Sequence, residues 1–233
     1  ATFDENGNYV SGSILQYVVV EYAGGANVSE NGAVRIEASS PFIDHDIIRN
    51  NKADGVHAWS SSAPRITNNT VTDNGASGIY ISSSATGSFP TISCNTISGN
   101  SGSHSGGGIF ALVPSATLTI SGNGIISNTA SQINQGGGIW LCNGCRPAIN
   151  NNDIYGNLTG DPATTPNDLY NGNGSGGADV SAENNWWGTT DPAVIEDQVW
   201  HFIDDGSLGI VDYIPYLSQP IGGTATPTST PTG

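Results

Sequence analysis

The charged and titratable side chains that carry most proton transfer and ion binding number four histidines, five basic residues and 20 carboxylates in this 233-residue chain, beside eight tyrosines and three cysteines. The residues with the types for acid–base work are Arg35, Glu37, His57 and Tyr80, carried by three segments of similar pattern, GAVRIE, GVHAW and GIYIS. A His–Tyr pair with an arginine can abstract and donate protons at a uronate, provided the groups lie within reach of one another. Arg35, His57 and Tyr80 are therefore the candidates for catalysis, set against the plainer reading of His57 as a stacked surface side chain.

A second cluster has the chemistry of a hard-cation site. Asp44 and Asp46 flank His45, with Asp73 beyond, and such carboxylates can hold calcium. Against this, no other stretch supplies carboxylates at the same repeat positions, and neither an EF-hand loop nor a G-G-x-G-x-D repeat occurs, so no cofactor or metal is expected. Cys142 and Cys145, in CNGC, have the spacing of a short disulfide or, in a reducing compartment, of redox or metal chemistry. Zinc would want a second such pair or a histidine pair, and the sequence has neither; a staple or plain packing is the expectation.

Charge narrows the partners. The net charge is −15, and the basic residues are Arg35, Arg49, Lys52, Arg65 and Arg146, scattered rather than clustered. That argues against nucleic acid or an anionic membrane surface, which need grouped Lys and Arg, and weighs mildly against polyuronates. No apolar run approaches the ~18–20 residues of a membrane span, so no membrane insertion is expected. Only 36% of residues are hydrophobic and 11% charged, while Ile, Val and Thr are plentiful and Gly numbers 32. Polarity without charge, with β-branched residues, points to a turn-rich all-β protein rather than a disordered one. The start at Ala1 without an initiator Met, the scarcity of Lys and the Thr/Pro tail favour an extracellular, secreted or cell-surface setting.

The elements that would position these side chains are repeats. Leu15, Ile43, Ile66, Ile92, Ile120 and Ile149 start equivalent units spaced by 23 to 29 residues. Five positions on runs a second apolar series, Val20, Ile48, Val71, Ile97, Ile125 and Ile154. Between and after them come two polar columns. One is Asp46, Asn69, Asn95, Asn123 and Asn152; the other is Asn51, Asn74, Asn100, Asn128 and Asn157. Each unit then adds a second strand beginning at Gly32, Gly55, Gly78, Gly108 or Gly138. Stacked coils about 4.8 Å apart would bury the apolar series as ladders that no single coil could bury alone. The asparagines fall where the chain turns a corner, and they are read as structural, tolerating left-handed backbone and bonding to one another.

The units PTISCNTISGN (90–100) and PAINNNDIYGN (147–157) resemble right-handed parallel β-helix repeats of the pectate-lyase-like superfamily. ENNWWGTTDP (183–192) with VDYIPYL (211–217) is similar to the N-x-W-G terminator of secreted bacterial β-helix proteins. The resemblance implies a β-helix over about residues 13–221; that superfamily holds lyases, hydrolases, epimerases and adhesins, so it does not imply one activity. Its lyases use a Lys or Arg base with calcium-binding acids and its hydrolases use Asp clusters; neither signature is found in this sequence.

The expected architecture is an all-β, right-handed parallel β-helix of about six coils over residues 1–221, with a C-terminal cap from about 183 and a Thr/Pro tail at 222–233. DPAVIEDQVWHFIDD is expected to form a short helix with Asp191 as N-cap and Pro192 at its first position, and Trp186, Trp187 and Trp200 to pack in the cap. The N-terminal end lacks such a cover, an edge that upstream sequence or another protein would have to occupy.

In register, the outward positions of the second strand are Arg35, His57, Tyr80, Phe110 and Trp140, and then Glu37, Trp59, Ser82, Leu112 and Cys142. His57, Tyr80, Phe110 and Trp140 would form a row about 14 Å long. With Trp59 they are the expected glycan or partner surface, set against cross-rung stacking beneath the loops after residues 82 and 112. An ice-binding lattice fails: Thr70 and Thr72 sit above Thr96 and Ser98, but Gly124 and Ile126 take the next rung. The expected function is a non-catalytic structural or adhesive module, self-associating end to end and contacting glycan; the alternative is a polysaccharide lyase or glycoside hydrolase.

Overall fold

In the computed structural model, residues 1–25, 31–83, 89–102, 106–113, 118–142, 144–174 and 179–222 are described. The chain winds as a parallel β-solenoid with three long sheets running along its axis. The first holds eight strands, from Ile14–Gln16 at one end to Val211–Asp212 at the other. The second holds six, from Val19–Glu21 to Asp153–Tyr155, and the third seven, from Gly32–Glu37 to Val199–Trp200. A shorter fourth sheet of four strands fills the corner after the second.

Register is as the spacing predicts. Leu15 pairs with Ile43, then Ile66, Ile92, Ile120 and Ile149 follow in line. Val20 leads the other ladder through Ile48, Val71, Ile97 and Ile125 to Ile154. From the second coil on, both ladders are essentially sealed from water. Strands of the first two sheets are about three residues long and turn one apolar side chain inward per coil, while the longer strands of the third sheet add two, such as Ile79 with Ile81 and Ile109 with Ala111.

Such a thin core needs its polar corners satisfied, and the two asparagine columns do this. Asn95 donates from Nδ2 to Asn123 Oδ1 (3.0 Å) in the next coil and to the Ile66 carbonyl (3.0 Å) in the previous one, while its backbone N–H donates to the same Asn123 Oδ1 (2.9 Å). Asn100 repeats the arrangement with Asn128 and the Val71 carbonyl. One column extends to Asn185, and the other ends on Asp168. The expectation that these asparagines are themselves left-handed is corrected. Positive φ belongs to the residue just before each, as at Asn68, Asp73, Cys94 and Gly99. That residue makes the bend, and the bend swings the ladder asparagine inward.

The helix α1 (Pro192–Gln198) forms as expected, with Asp191 capping the Ala193 N–H (3.0 Å) and Ile195 buried. Trp187 is fully buried in the cap. The period is less broken near the C-terminus than the spacing suggests. Val199–Trp200 pairs with Leu169–Tyr170 and Val211–Asp212 with Val180–Ser181, so two sheets run on beside the helix. These strands are two residues long, too short to show alternation in the sequence. Residues 2–3 and 9–11 form an antiparallel hairpin. Its Phe3 and Tyr9 pack on Phe42, and Arg65 lies over Phe3 and donates to the Gly7 carbonyl (3.0 Å). Phe42 and Arg65 face outward in the first sheet, so the hairpin covers a flank. The 84–88 loop and the tail from 223 lie outside the described residues.

Candidate functional site

The third sheet brings the candidate side chains together. Arg35 pairs with His57, His57 with Tyr80, Tyr80 with Phe110 and Phe110 with Trp140, one per coil. The row runs further than the repeats had indicated: Trp140 pairs with Tyr170, and Tyr170 with Trp200. Tyr170 stands in NDLYN, where Asn-Asp replaces the usual Gly before the strand, and Trp200 follows the helix. Both lie outside the pattern that marks the other strands.

Adjacent rings stack face to face. Centroids are 4.2 Å apart for His57–Tyr80, 4.3 Å for Tyr80–Phe110 and 4.5 Å for Phe110–Trp140, with planes within 18° of parallel. Trp140 and Tyr170 are parallel at 6.3 Å. The first three separations lie at or just below the short end of the range that stacked aromatic pairs favour. Gly106 and Gly136, both at positive φ, lead into this sheet beside the row. A Cβ on Gly106 would lie 2.8 Å from Phe110 Cβ, and one on Gly136 2.3 Å from the Ile139 carbonyl. Only glycine lets the chain fold so tightly onto the strand that carries the rings.

Stacking consumes the ring faces. A sugar laid along the row would meet ring edges, whereas CH–π recognition needs an open face. The side chains are also less exposed than outward positions implied: His57 is 5% exposed, and Tyr80, Phe110, Trp140 and Tyr170 are half-buried. Trp140 Nε1 is buried with no hydrogen-bond partner among the described residues. The loop segments 84–88 and 114–117, expected to overhang the row, lie outside those residues.

A partner of His57 escaped the sequence reading. Asp54 Oδ2 sits 2.7 Å from His57 Nδ1, and Asp54 Oδ1 accepts the Ser77 N–H at 2.8 Å. The carboxylate therefore orients the imidazole, as an acid–base histidine requires, but within a buried setting. The D-x-x-H spacing was the available signal. On a strand, positions three apart usually face opposite sides, which hid it. Trp59 lies edge-on to His57 at 5.6 Å, with the Arg35 guanidinium 5.2 Å above its ring. Glu37 pairs in register with Trp59.

The calcium candidates do not converge. Asp44 is held by His45 Nδ1 (2.8 Å), Gln16 Nε2 (2.6 Å) and Asn68 Nδ2 (3.0 Å). Although burial opposes it, these contacts hold the Asp44 carboxyl below the usual carboxylate range. Asp46 points inward as a member of the asparagine column, accepting the Val18 N–H (2.9 Å), and Asp73 occupies the next corner. Among the described residues, no three His, Cys, Asp or Glu side chains are grouped to hold a metal. The Cys142 side chain lies outside the described residues, so its pairing with Cys145 does too.

With coils, ladders and register in place, the chain matches the family described as the right-handed β-helix region over residues 8–159, and it belongs to that family. No curated protein and no solved structure matches it.

Proposed function

We propose that this domain is a non-catalytic extracellular module with a structural or adhesive role, working as a stiff spacer that associates through its first coil. The observation that carries the reading is the contrast between its ends. At the C-terminal end the core is closed by α1 and by Trp187. There Glu196 accepts from His201 Nε2 (2.8 Å) and from the Tyr213 hydroxyl (2.7 Å). At the other end Leu15, Val20 and Val34 are only partly buried, though Ile43, Ile48 and Val56 one coil on are sealed. Exposed apolar ladder ends and strand edges mark a contact surface. Sedimentation at rising concentration, with amide exchange at residues 14–21 and 32–37, tests it. Association should slow exchange there; a protein that stays monomeric, or associates without protecting these strands, rules the reading out.

Asp54 beside His57 favours a second reading, a polysaccharide lyase or glycoside hydrolase acting through Arg35, His57 and Tyr80. It requires unsaturated or reducing sugar products from some polysaccharide, lost in His57→Ala. Glycan contact without cleavage is distinguished by Trp140→Ala, which would weaken binding on a glycan array while no product forms. The largely buried imidazole and the mutually stacked rings favour the scaffold reading over both.

A further inference from the structure

The first coil carries several features that together select its occupant. Its strands, Ile14–Gln16, Val19–Glu21 and Gly32–Glu37, are each the last of their sheet, paired on one side only among the described residues. Both asparagine columns stop here, with Val18 and Ala23 at the column positions; their backbone N–H groups donate to Asp46 and Asn51, and they have no amide to pass on. Elsewhere each column Nδ2 reaches back to a carbonyl of the preceding coil, as Asn51 reaches the Val20 carbonyl (3.1 Å). The coil is thus finished on its outer side in a way that does not suit another coil of the same kind in parallel register. Nor does the opposite end of a second molecule suit it, because α1 closes that end.

Both corners of this coil carry a tyrosine. Tyr17 (φ 58°) and Tyr22 (φ 57°) are left-handed, at positions where later coils place His45, Asn68 and Cys94, or Asn50, Asp73, Gly99 and Ser127. A bulky residue there costs of order 1 kcal/mol that Asn or Gly would avoid. Yet Tyr17 and Tyr22 are 72% and 79% exposed, and near them Val19 is 54% and Ile14 40% exposed. Tyr17 leans on His45 of the next coil, with ring centroids 5.1 Å apart, and with Tyr22 it sets exposed aromatic surface at the rim of an open edge, the character of interface anchors.

Charge identifies what they meet. On the Gly32–Glu37 strand, Arg35 and Glu37 are exposed, two apart and so on the same face, with buried Ile36 between them. If that strand pairs antiparallel with its own copy about a two-fold axis at Ile36, Arg35 of each molecule falls opposite Glu37 of the other. On the neighbouring strand, Glu21 is already paired with Arg49 Nε (3.0 Å). For a chain of net charge −15, this is a surface on which two copies can meet with matched charge.

We propose that the first-coil end binds a second copy of this chain head to head, giving a closed two-fold dimer. The proposal rests on the end-association reading above and names its partner. The test uses the full 233-residue chain and three variants: Arg35→Glu, Glu37→Arg, and both together. Sedimentation equilibrium should show a monomer–dimer system with no larger species. Each single variant juxtaposes like charges twice and should weaken the dimer by at least about tenfold. An equimolar mixture of the two singles should restore a heterodimer, and the double variant should dimerise like the parent. Circular dichroism confirms that these exposed substitutions leave the fold intact. Association that ignores the charge changes, or that grows into polymers, overturns the head-to-head pairing while leaving the end as a contact surface. A parent chain that never associates, or that does so without protecting residues 32–37 from exchange, overturns both.

Discussion

The asparagine columns make single side chains decisive. Removing the Asn100 amide deprives Asn74 N–H and Nδ2 of their acceptor, and the Val71 carbonyl and Asn128 Oδ1 of a donor, all within the sealed interior. Unsatisfied buried groups cost about 1–3 kcal/mol each, so Asn100→Ala should lower the urea unfolding free energy by several kcal/mol. A corner residue such as Asn68 should be far more tolerant. Asp46 and Asp168 are the instructive exceptions. Each has one carboxylate oxygen serving the column and the other, Oδ2, buried with no partner among the described residues. In the asparagines that second atom is a donor. Burial raises the Asp46 carboxyl above the ordinary range and pushes Asp168 up to about 7. Because the folded state holds these protons more tightly than the unfolded chain, the stabilisation is complete below the ordinary carboxylate pKa of 3.8. It is lost as pH rises through the folded value. Asp46→Asn should therefore raise stability by about 1–3 kcal/mol at pH 8, with the gain vanishing in acid; denaturant melts at both pH values measure it.

The cap depends on one network rather than on its short helix alone. His201 Nδ1 accepts the Val211 N–H (2.9 Å), which fixes the tautomer so that Nε2–H donates to Glu196, and Tyr213 donates to the other carboxylate oxygen. Burial opposes the Glu196 charge, but the bonds from His201 and Tyr213 prevail and hold its carboxyl below the ordinary value. Burial and the hydrogen bond to Glu196 raise the Tyr213 phenol. Tyr213→Phe should cost about 0.5–1.5 kcal/mol, and Asp191→Ala, which removes the α1 N-cap, about 1 kcal/mol. Both losses should be read as faster amide exchange confined to residues 192–213, since cap opening need not unwind the coils.

Across the molecule these titrations oppose one another. Stability from Glu196 is present above its unfolded value of 4.5 and is lost as pH falls through its folded one. Stability from Asp168 is lost as pH rises toward about 7. Thermal melts across pH should therefore show a maximum on the mildly acidic side of neutrality. Asp168→Asn should flatten the alkaline limb, and Glu196→Gln the acid limb. A solenoid also distributes stability from coil to coil, so a partner on the first coil should raise protection there most strongly and fade toward the cap.

Much of this was written in one dimension. The ladders, the asparagine columns and the order of the ring row follow from residue type at fixed spacing, because a parallel coil turns sequence periodicity directly into vertical neighbours. The short cap strands and the Asp54–His57 contact were not readable. Two-residue strands carry no alternation, and a contact three residues apart depends on how the chain bends into the strand. Nor could spacing decide what the ring row is for. Outward position in a strand is a matter of parity, which can be counted along the chain. Whether an outward ring offers its face to a ligand depends on the distance to the ring above, which is set by how the coils stack, and here they stack the rings on each other. The same holds for Asp46, one acid among twenty by sequence. Its place inside a column of amides, with an oxygen where its neighbours carry a donor, is what sets its charge.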